Sequence, residues 1–192
     1  AAKLLTVKSM AGAISYNVSD TSANIFSGGS IATDANINGA TDVTVTDALS
    51  VAEATDLVAA TNSGTNTYTI TDTSAALAAA SAAAANGATS LAVSDDPTGA
   101  QASAIAAFTS TSTYNIDDTA ANLGLDATTT AGLNGAGTIA ATGAAVTAAI
   151  ATKLLSATNS GATTITAVTD TSSAVKALSI PTGDVITTLT AS

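Results

Sequence analysis

The chain contains no cysteine, no histidine and no tryptophan in 192 residues. Their absence excludes disulfides, thiolate nucleophiles, imidazole bases and the Cys/His ligand sets of the usual zinc and copper sites. Basic residues are nearly missing: four Lys and no Arg stand against 13 Asp and one Glu, a formal net charge of -10. That sign repels phosphate backbones and excludes a nucleic-acid partner held by charge. Charged residues make up only 9% of the chain, so small hydroxyls and amides must hydrate its surface. Long apolar runs are missing as well. The longest, residues 75–85, is almost all Ala, is interrupted by Ser81, and falls short of the ~20 residues needed to span a bilayer. Residues 1–12 lack a signal-peptide apolar core, and without an initiating Met the chain reads as a processed or excised piece. Leu, Ile, Val and Phe supply 38 of the 192 residues. That is thin for a single-core globule but sufficient for shallow layers packed around Ala.

What is present is a repeat. Residues 16–23, 68–75 and 114–121 each read Tyr-x-(Val/Ile)-x-Asp-Thr-(Ser/Ala)-Ala, and residues 166–173 keep Val168 and Asp170-Thr171-Ser172. The intervals between Asp20, Asp72, Asp118 and Asp170 are each halved by a weaker copy ending at Asp47, Asp95 or Gly143. Seven sequence units of about 25 residues result. Ala-Thr-Asn-Ser-Gly at residues 60–64 recurs at 157–161, and Asn38-Gly39-Ala40 recurs as Asn134-Gly135-Ala136, so four units have been duplicated. Lys3-Leu4-Leu5 matches Lys153-Leu154-Leu155, which places the chain's start partway through a unit. The organisation expected is a single module over 1–192, duplicated as about 16–112 and 113–192 and cut from a longer array.

Ahead of each anchor the residues alternate. Val18/Tyr16, Val45/Val43, Ile70/Tyr68, Val93/Leu91, Ile116/Tyr114, Ala141/Ile139 and Val168/Thr166 occupy one face, with small or polar residues between them. Period two predicts a short strand with one buried face, its tyrosines packed inward. After each anchor comes an Ala-rich stretch, such as 48–60, 73–85, 97–108 or 144–155. Ala favours helix, and the Asp-Pro step at Asp96-Pro97 predicts an N-cap followed by Pro in the first helical position. Asn86-Gly87 and the two Asn-Ser-Gly sites predict left-handed C-caps. Helices after the Tyr-type strands read as shorter. The fold class expected is α/β, a repeat solenoid with a parallel sheet on one side and helices on the other. The alternative is an all-β solenoid, which would set Ala against its weak strand preference.

Residues 16–25 and 114–123, with Pro97-Thr98-Gly99-Ala100-Gln101-Ala102 in the alternate units, resemble the repeats of very large secreted bacterial surface proteins. These are calcium-associated, hemolysin-like adhesins and S-layer-like proteins. The resemblance implies an extracellular or cell-surface location and a role in adhesion or the envelope. The Gly-Asp nonapeptides that bind calcium in many such proteins do not occur here.

Six of the seven anchors are acidic: Asp20, Asp47, Asp72, Asp95, Asp118 and Asp170. Each is expected to cap its own helix, with cation binding by pairs as the rival reading. Asp34, Asn36 and Asn38 before Gly39, with Asp42 further on, have the spacing of the opening of a calcium loop but lack its bidentate Glu, Val45 standing there. A polar turn is the first reading of that segment and a calcium site the second. No cofactor is required, and calcium is the one the spacing suggests. No catalytic residues are assigned, because no Ser, Lys or carboxylate stands on a distinctive nucleophile turn. The function expected is a structural module, a rigid spacer or self-assembling filament or layer unit, partnered by itself or by flanking repeats. The alternative is a binding module that presents Ser19, Thr46, Thr71, Ser94, Thr142 and Thr169 to ice or carbohydrate.

Overall fold

The computed structural model describes residues 14–125 and 129–192, and the Lys3-Leu4-Leu5 match lies outside them. In chain order the elements are β1 (Val18–Asp20), α1 (Ser22–Ile25), two single-turn 3-10 helices, α2 (Ala35–Asn38), β2 (Val43–Leu49), α3 (Val51–Leu57) and β3 (Asn66–Asp72). There follow α4 (Ser74–Ala78), α5 (Ala82–Gly87), β4 (Ser90–Val93), α6 (Gly99–Ala106), β5 (Thr111–Thr113), β6 (Ile116–Thr119) and α7 (Ala120–Leu125). The last are α8 (Thr129–Gly135), β7 (Ile139–Thr142), α9 (Ala148–Leu155), β8 (Thr163–Asp170), α10 (Ser172–Lys176) and β9 (Val185–Ala191). Strand and helix alternate, and the strands form two sheets, β1-β2-β3-β4-β5 and β6-β7-β8-β9. The chain is mixed α/β with two parallel sheets. The Ala-rich segments are helical, so the all-β alternative is not supported.

The expected helices are trimmed and, in one case, split. Residues 48–60 contribute only Val51–Leu57, and 97–108 only Gly99–Ala106, because Ser50 and Thr98 cap the helices later than the acids do. Each closes a capping box, Ser50 with Glu53 and Thr98 with Gln101. Pro97 is therefore not the first helical residue. It lies buried between β4 and the Thr98 cap, in the place that Leu49 and Val146 take in the sister repeats. Residues 73–85 break into α4 and α5, with Ser81 capping the second. Helices after the Tyr-type strands are short, four to six residues in α1, α4 and α7, against seven or eight in α3, α6 and α9.

The strands do not align anchor to anchor. Val18 pairs with Val43 and Asp20 with Val45, two residues away from an alignment of the acids. In the second sheet Ile116 pairs with Ile139 and Asp118 with Ala141, the same two-residue slip. An even slip keeps the buried face buried, so it changes which residues meet without exposing the core. It also staggers the acids, which removes the like-charge stack that direct alignment would create. β2 carries an irregularity between Thr44 and Ala48, after which Leu49 pairs with Ile70. β8 departs furthest from expectation. Thr166, expected inward, is exposed, while Ile165 and Val168 are both fully buried.

The described residues divide into two compact units. One comprises residues up to Asp72 with Ala80–Ala92 and Phe108–Thr111, the other Thr73–Ala79, Val93–Ala107 and Ser112–Ser192. The first buries Val43, Leu49, Leu57, Tyr68, Ile70 and Leu91 against Ala54, Ala84 and Ala85. The second buries Leu77, Ile105, Leu133, Ile139, Leu154 and Ile165 against Ala102 and Ala151. Alanine lets backbones approach closely enough for few large side chains to fill each core. Gly132 shows the limit: a Cβ there would meet Ser103 N at 2.5 Å and the Ala102 carbonyl carbon at 2.7 Å, so α8 lies directly against α6.

Candidate functional site

The acidic column is the most regular chemical feature, and the structure assigns it a different partner from the one expected. The N-cap residue of α1, α4 and α10 is the Thr following the acid: Thr21, Thr73 and Thr171. In the alternate repeats the cap is Ser50, Thr98 or Thr147. The carboxylates instead reach back by one repeat to the first amide of the preceding helix. In the first compact unit Ser22 N–H donates to Asp47 Oδ1 at 2.6 Å and Val51 N–H to Asp72 Oδ2 at 2.9 Å. In the second, Ser74 N–H donates to Asp95 Oδ1 at 2.6 Å, Gly99 N–H to Asp118 Oδ2 at 3.2 Å, and Ala148 N–H to Asp170 Oδ2 at 3.0 Å. Each acceptor satisfies an amide with no intrahelical partner, at the helix end that favours negative charge.

The other carboxylate oxygen serves the acid's own turn. Asp118 Oδ1 accepts from Thr119 N–H at 2.6 Å and Asn122 Nδ2 at 2.9 Å, and Asp170 Oδ1 from Thr171 N–H at 2.7 Å. Asp20 accepts from Asn24 Nδ2 at 2.7 Å and Thr21 N–H at 2.8 Å. These bonds hold Asp20 below the ordinary carboxylate value, the Asn24 side chain contributing most. Asp47 is also held low, chiefly by the Ser22 amide, against a small opposing push from Asp20. Gly143, at φ +88°, takes the one anchor position without an acid.

Asparagine forms a second column. Asn38 Oδ1 accepts from Thr61 N–H and Asn86 Oδ1 from Thr109 N–H, both at 2.8 Å, and Asn134 Oδ1 from Thr158 N–H at 3.0 Å. A third column stands just before the strands: Asn17 Oδ1 accepts from Asp42 N–H at 3.1 Å and Asn115 Oδ1 from Thr138 N–H at 3.0 Å. Two residues before each Asn-Gly step, a carbonyl accepts a tyrosine hydroxyl. The pairs are Tyr16 to Asn36 O, Tyr68 to Ala84 O and Tyr114 to Gly132 O, at 2.7, 2.8 and 2.9 Å. Tyr68 and Tyr114 are buried in their cores, whereas Tyr16 is half-buried. Burial raises both buried phenols, Tyr114 to about 12.

The Asn-Gly steps are not left-handed caps. Positive φ among the described residues occurs only at Gly29, Gly143 and Gly183. Gly87 is required by proximity instead, since a Cβ there would lie 2.6 Å from the Tyr68 hydroxyl. Gly64, in an Asn-Ser-Gly site, is crowded in the same way by the Asp42 carboxylate and the Thr41 carbonyl.

The four residues with calcium-loop spacing are not brought to one centre. Asp34 is the N-cap of α2, its Oδ1 accepting Asn36 N–H at 2.7 Å and Ile37 N–H at 3.3 Å. Asn38 donates to the Ile31 and Ala32 carbonyls and accepts from Thr61, and Asp42 Oδ1 accepts Thr65 N–H at 2.9 Å. Asp34 and Asn36 line a cavity of about 190 Å³ with Asp20 and Asn24, and neither Asn38 nor Asp42 reaches it. Asn36 is buried, with Oδ1 unpartnered. Among the described residues no group of three or more acidic, His or Cys side chains is placed to hold a metal ion.

A second cleft, about 490 Å³, lies in the second compact unit between Asp95-Asp96 and Ser112, Thr113 and Asn115. It is open and hydroxyl-lined, and no base, nucleophile and orienting group converge there as catalysis requires. Among the described residues no helix is long and apolar enough to cross a membrane. Sequence reading located the acidic, asparagine and tyrosine columns but not their partners. The signal that could have found the partners is sequence separation: the acidic and asparagine bonds span 19 to 25 residues, one repeat back or forward, and the tyrosine bonds span 16 to 20. No family model, curated protein or solved structure matches the chain.

Proposed function

We propose that the chain is a solenoid of strand-and-helix rungs whose role is structural. It acts as a rigid spacer or self-assembling filament or layer unit of a secreted bacterial surface protein, in adhesion or the cell envelope, and not as an enzyme. One observation carries this reading. The polar side chains that could do chemistry are engaged in joining each repeat to its neighbour, Asp47 to Ser22, Asp72 to Val51, Asn38 to Thr61 and their counterparts. A side chain bound in this way is held in one position, which suits load-bearing better than turnover. These joints are made between protein groups.

The reading as an ice- or carbohydrate-binding face draws less support. Ser19 lies opposite Thr44, and Thr44 opposite Thr67, so the expected column of Ser19, Thr46 and Thr71 is not the row the ladder makes; the matching row of the second sheet reads Asp117, Ala140 and Thr164, with one hydroxyl in three. Electron microscopy of the purified chain, with and without a calcium chelator, tests the proposal. Ordered fibres, layers or uniform stiff rods support it, and rods unchanged by chelation support the metal-independent form. Flexible, shapeless particles under every condition refute it.

A further inference from the structure

Asn-Gly is a chemically fragile dipeptide in water. With no side chain on the following residue, the Gly nitrogen is free to attack Asn Cγ: a C–N bond closes a succinimide ring, and the Asn amide nitrogen departs as ammonia with the Gly proton. Water then opens the ring to aspartate or isoaspartate. The chain has three such steps, Asn38-Gly39, Asn86-Gly87 and Asn134-Gly135. Burial does not shield them, since Asn86 and Asn134 are exposed and Asn38 is half-buried.

Geometry shields them instead. Asn38 ends α2, with the Gly39 amide donating to Ala35 O at 3.2 Å, and the other two steps are the last two residues of α5 and α8. A helical ψ of about -42° turns the next nitrogen away from Cγ. Ring closure therefore requires a rotation that unwinds the last turn. The carbon under attack is held as well, because each Asn Oδ1 accepts an amide of the next repeat, from Thr61, Thr109 or Thr158. The carbonyl two residues before each Asn is tied down by the hydroxyl of Tyr16, Tyr68 or Tyr114. At Gly87 and Gly135 a Cβ would lie 2.6 Å from that hydroxyl, so no larger residue fits. The joint thus calls for the fragile pair: Asn supplies the acceptor and Gly the room beside the tyrosine.

We propose that Asn38, Asn86 and Asn134 are latent self-modification sites, closed while neighbouring repeats are joined and open to deamidation once a joint comes apart. Isoaspartate adds a methylene to the main chain, which shifts the glycine against the tyrosine and the acceptor against its amide. A converted joint does not re-form, so prolonged unfolding becomes irreversible. This inference goes beyond the structural role proposed above and does not depend on it.

Peptide mass spectrometry with isoaspartate detection tests it, on the 192-residue chain aged in mildly alkaline buffer with and without concentrated urea. Conversion at the three steps should be roughly tenfold or more slower in the folded chain. Recovery of the native circular dichroism spectrum after urea removal should fall as isoaspartate accumulates. Tyr68→Phe tests the joint itself: in buffer it should raise conversion at Asn86 and leave Asn134 at the parent rate. Equal conversion in buffer and urea overturns the proposal, and so does complete refolding of isoaspartate-rich chains. An Asn86-to-Asn134 ratio that Tyr68→Phe leaves at the parent value overturns the local joint as the source of protection.

Discussion

Replacing Gly87 by Ala should destabilise the protein, although helix propensity alone argues the reverse. Gly87 is the last residue of α5 and has no positive φ, so Ala could adopt its backbone without strain and should gain up to about 1 kcal/mol. The added Cβ would, however, sit 2.6 Å from the Tyr68 hydroxyl. Tyr68 is 2% exposed and donates to Ala84 O at 2.8 Å, so the ring cannot swing into solvent. Relief requires repacking, which costs roughly 1–3 kcal/mol. It also breaks the bond, leaving the Ala84 carbonyl buried and unpaired at a further cost of about 1–3 kcal/mol. The net expectation is a loss of roughly 1–5 kcal/mol after the helix gain is subtracted. Tyr68→Phe alone should cost about 1–2 kcal/mol for the missing bond. In the Tyr68→Phe background the Cβ meets nothing nearer than the ring, at 3.6 Å, so Gly87→Ala should become neutral or stabilising there. Urea denaturation of the four proteins gives the coupling directly. A Gly87→Ala chain more stable than the parent, or a Gly87→Ala effect of the same size in both backgrounds, would refute the reasoning. Gly135 and Tyr114 repeat the geometry at 2.6 Å and provide an independent cycle.

Asp118→Ala should lower stability by about 1 kcal/mol, because the Gly99 amide loses its acceptor, whereas Asp117→Ala, one residue away on the exposed face, should change stability by less than about 0.5 kcal/mol. Asp20 and Asp47 are held below the ordinary carboxylate value, so their contribution is complete above the unfolded value near ~3.9 and is lost as pH falls through the lower folded values. Circular dichroism during acid titration should show unfolding below about pH 4, with a shallower slope in Asp47→Asn. At the alkaline end the sign reverses. Tyr114 is raised to about 12, so the stability that its burial confers is complete below the unfolded value near ~10 and is lost as pH rises through the folded one, followed by tyrosinate absorbance. Calcium added at millimolar levels should leave the melting temperature unchanged, since Asp34, Asn38 and Asp42 are engaged by backbone amides; a saturable rise would overturn that placement.

The period of the sequence determined the α/β class and the alternation of strand and helix, but not the division into two sheets or the added strands β5 and β9. Alternation at Val43-x-Val45 or Tyr114-x-Ile116 fits a strand with one buried face, and the Ala-rich stretches between strands favour helix, which packing against the sheets then stabilises. The columns of Asp, Asn and Tyr were legible for the same reason, because equivalent positions recur at the repeat spacing. Tertiary structure decided what those columns touch. A carboxylate beside a helix start can cap its own helix or the one packed next to it, and local sequence is the same in both cases. Only the two-residue slip between β1 and β2 brings Asp47 to Ser22. The glycines illustrate the same division. An Asn-Gly step looks alike whether Gly serves a left-handed turn or makes room for a hydroxyl from Tyr68, 19 residues earlier, because steric exclusion by a distant side chain leaves no local mark in the sequence.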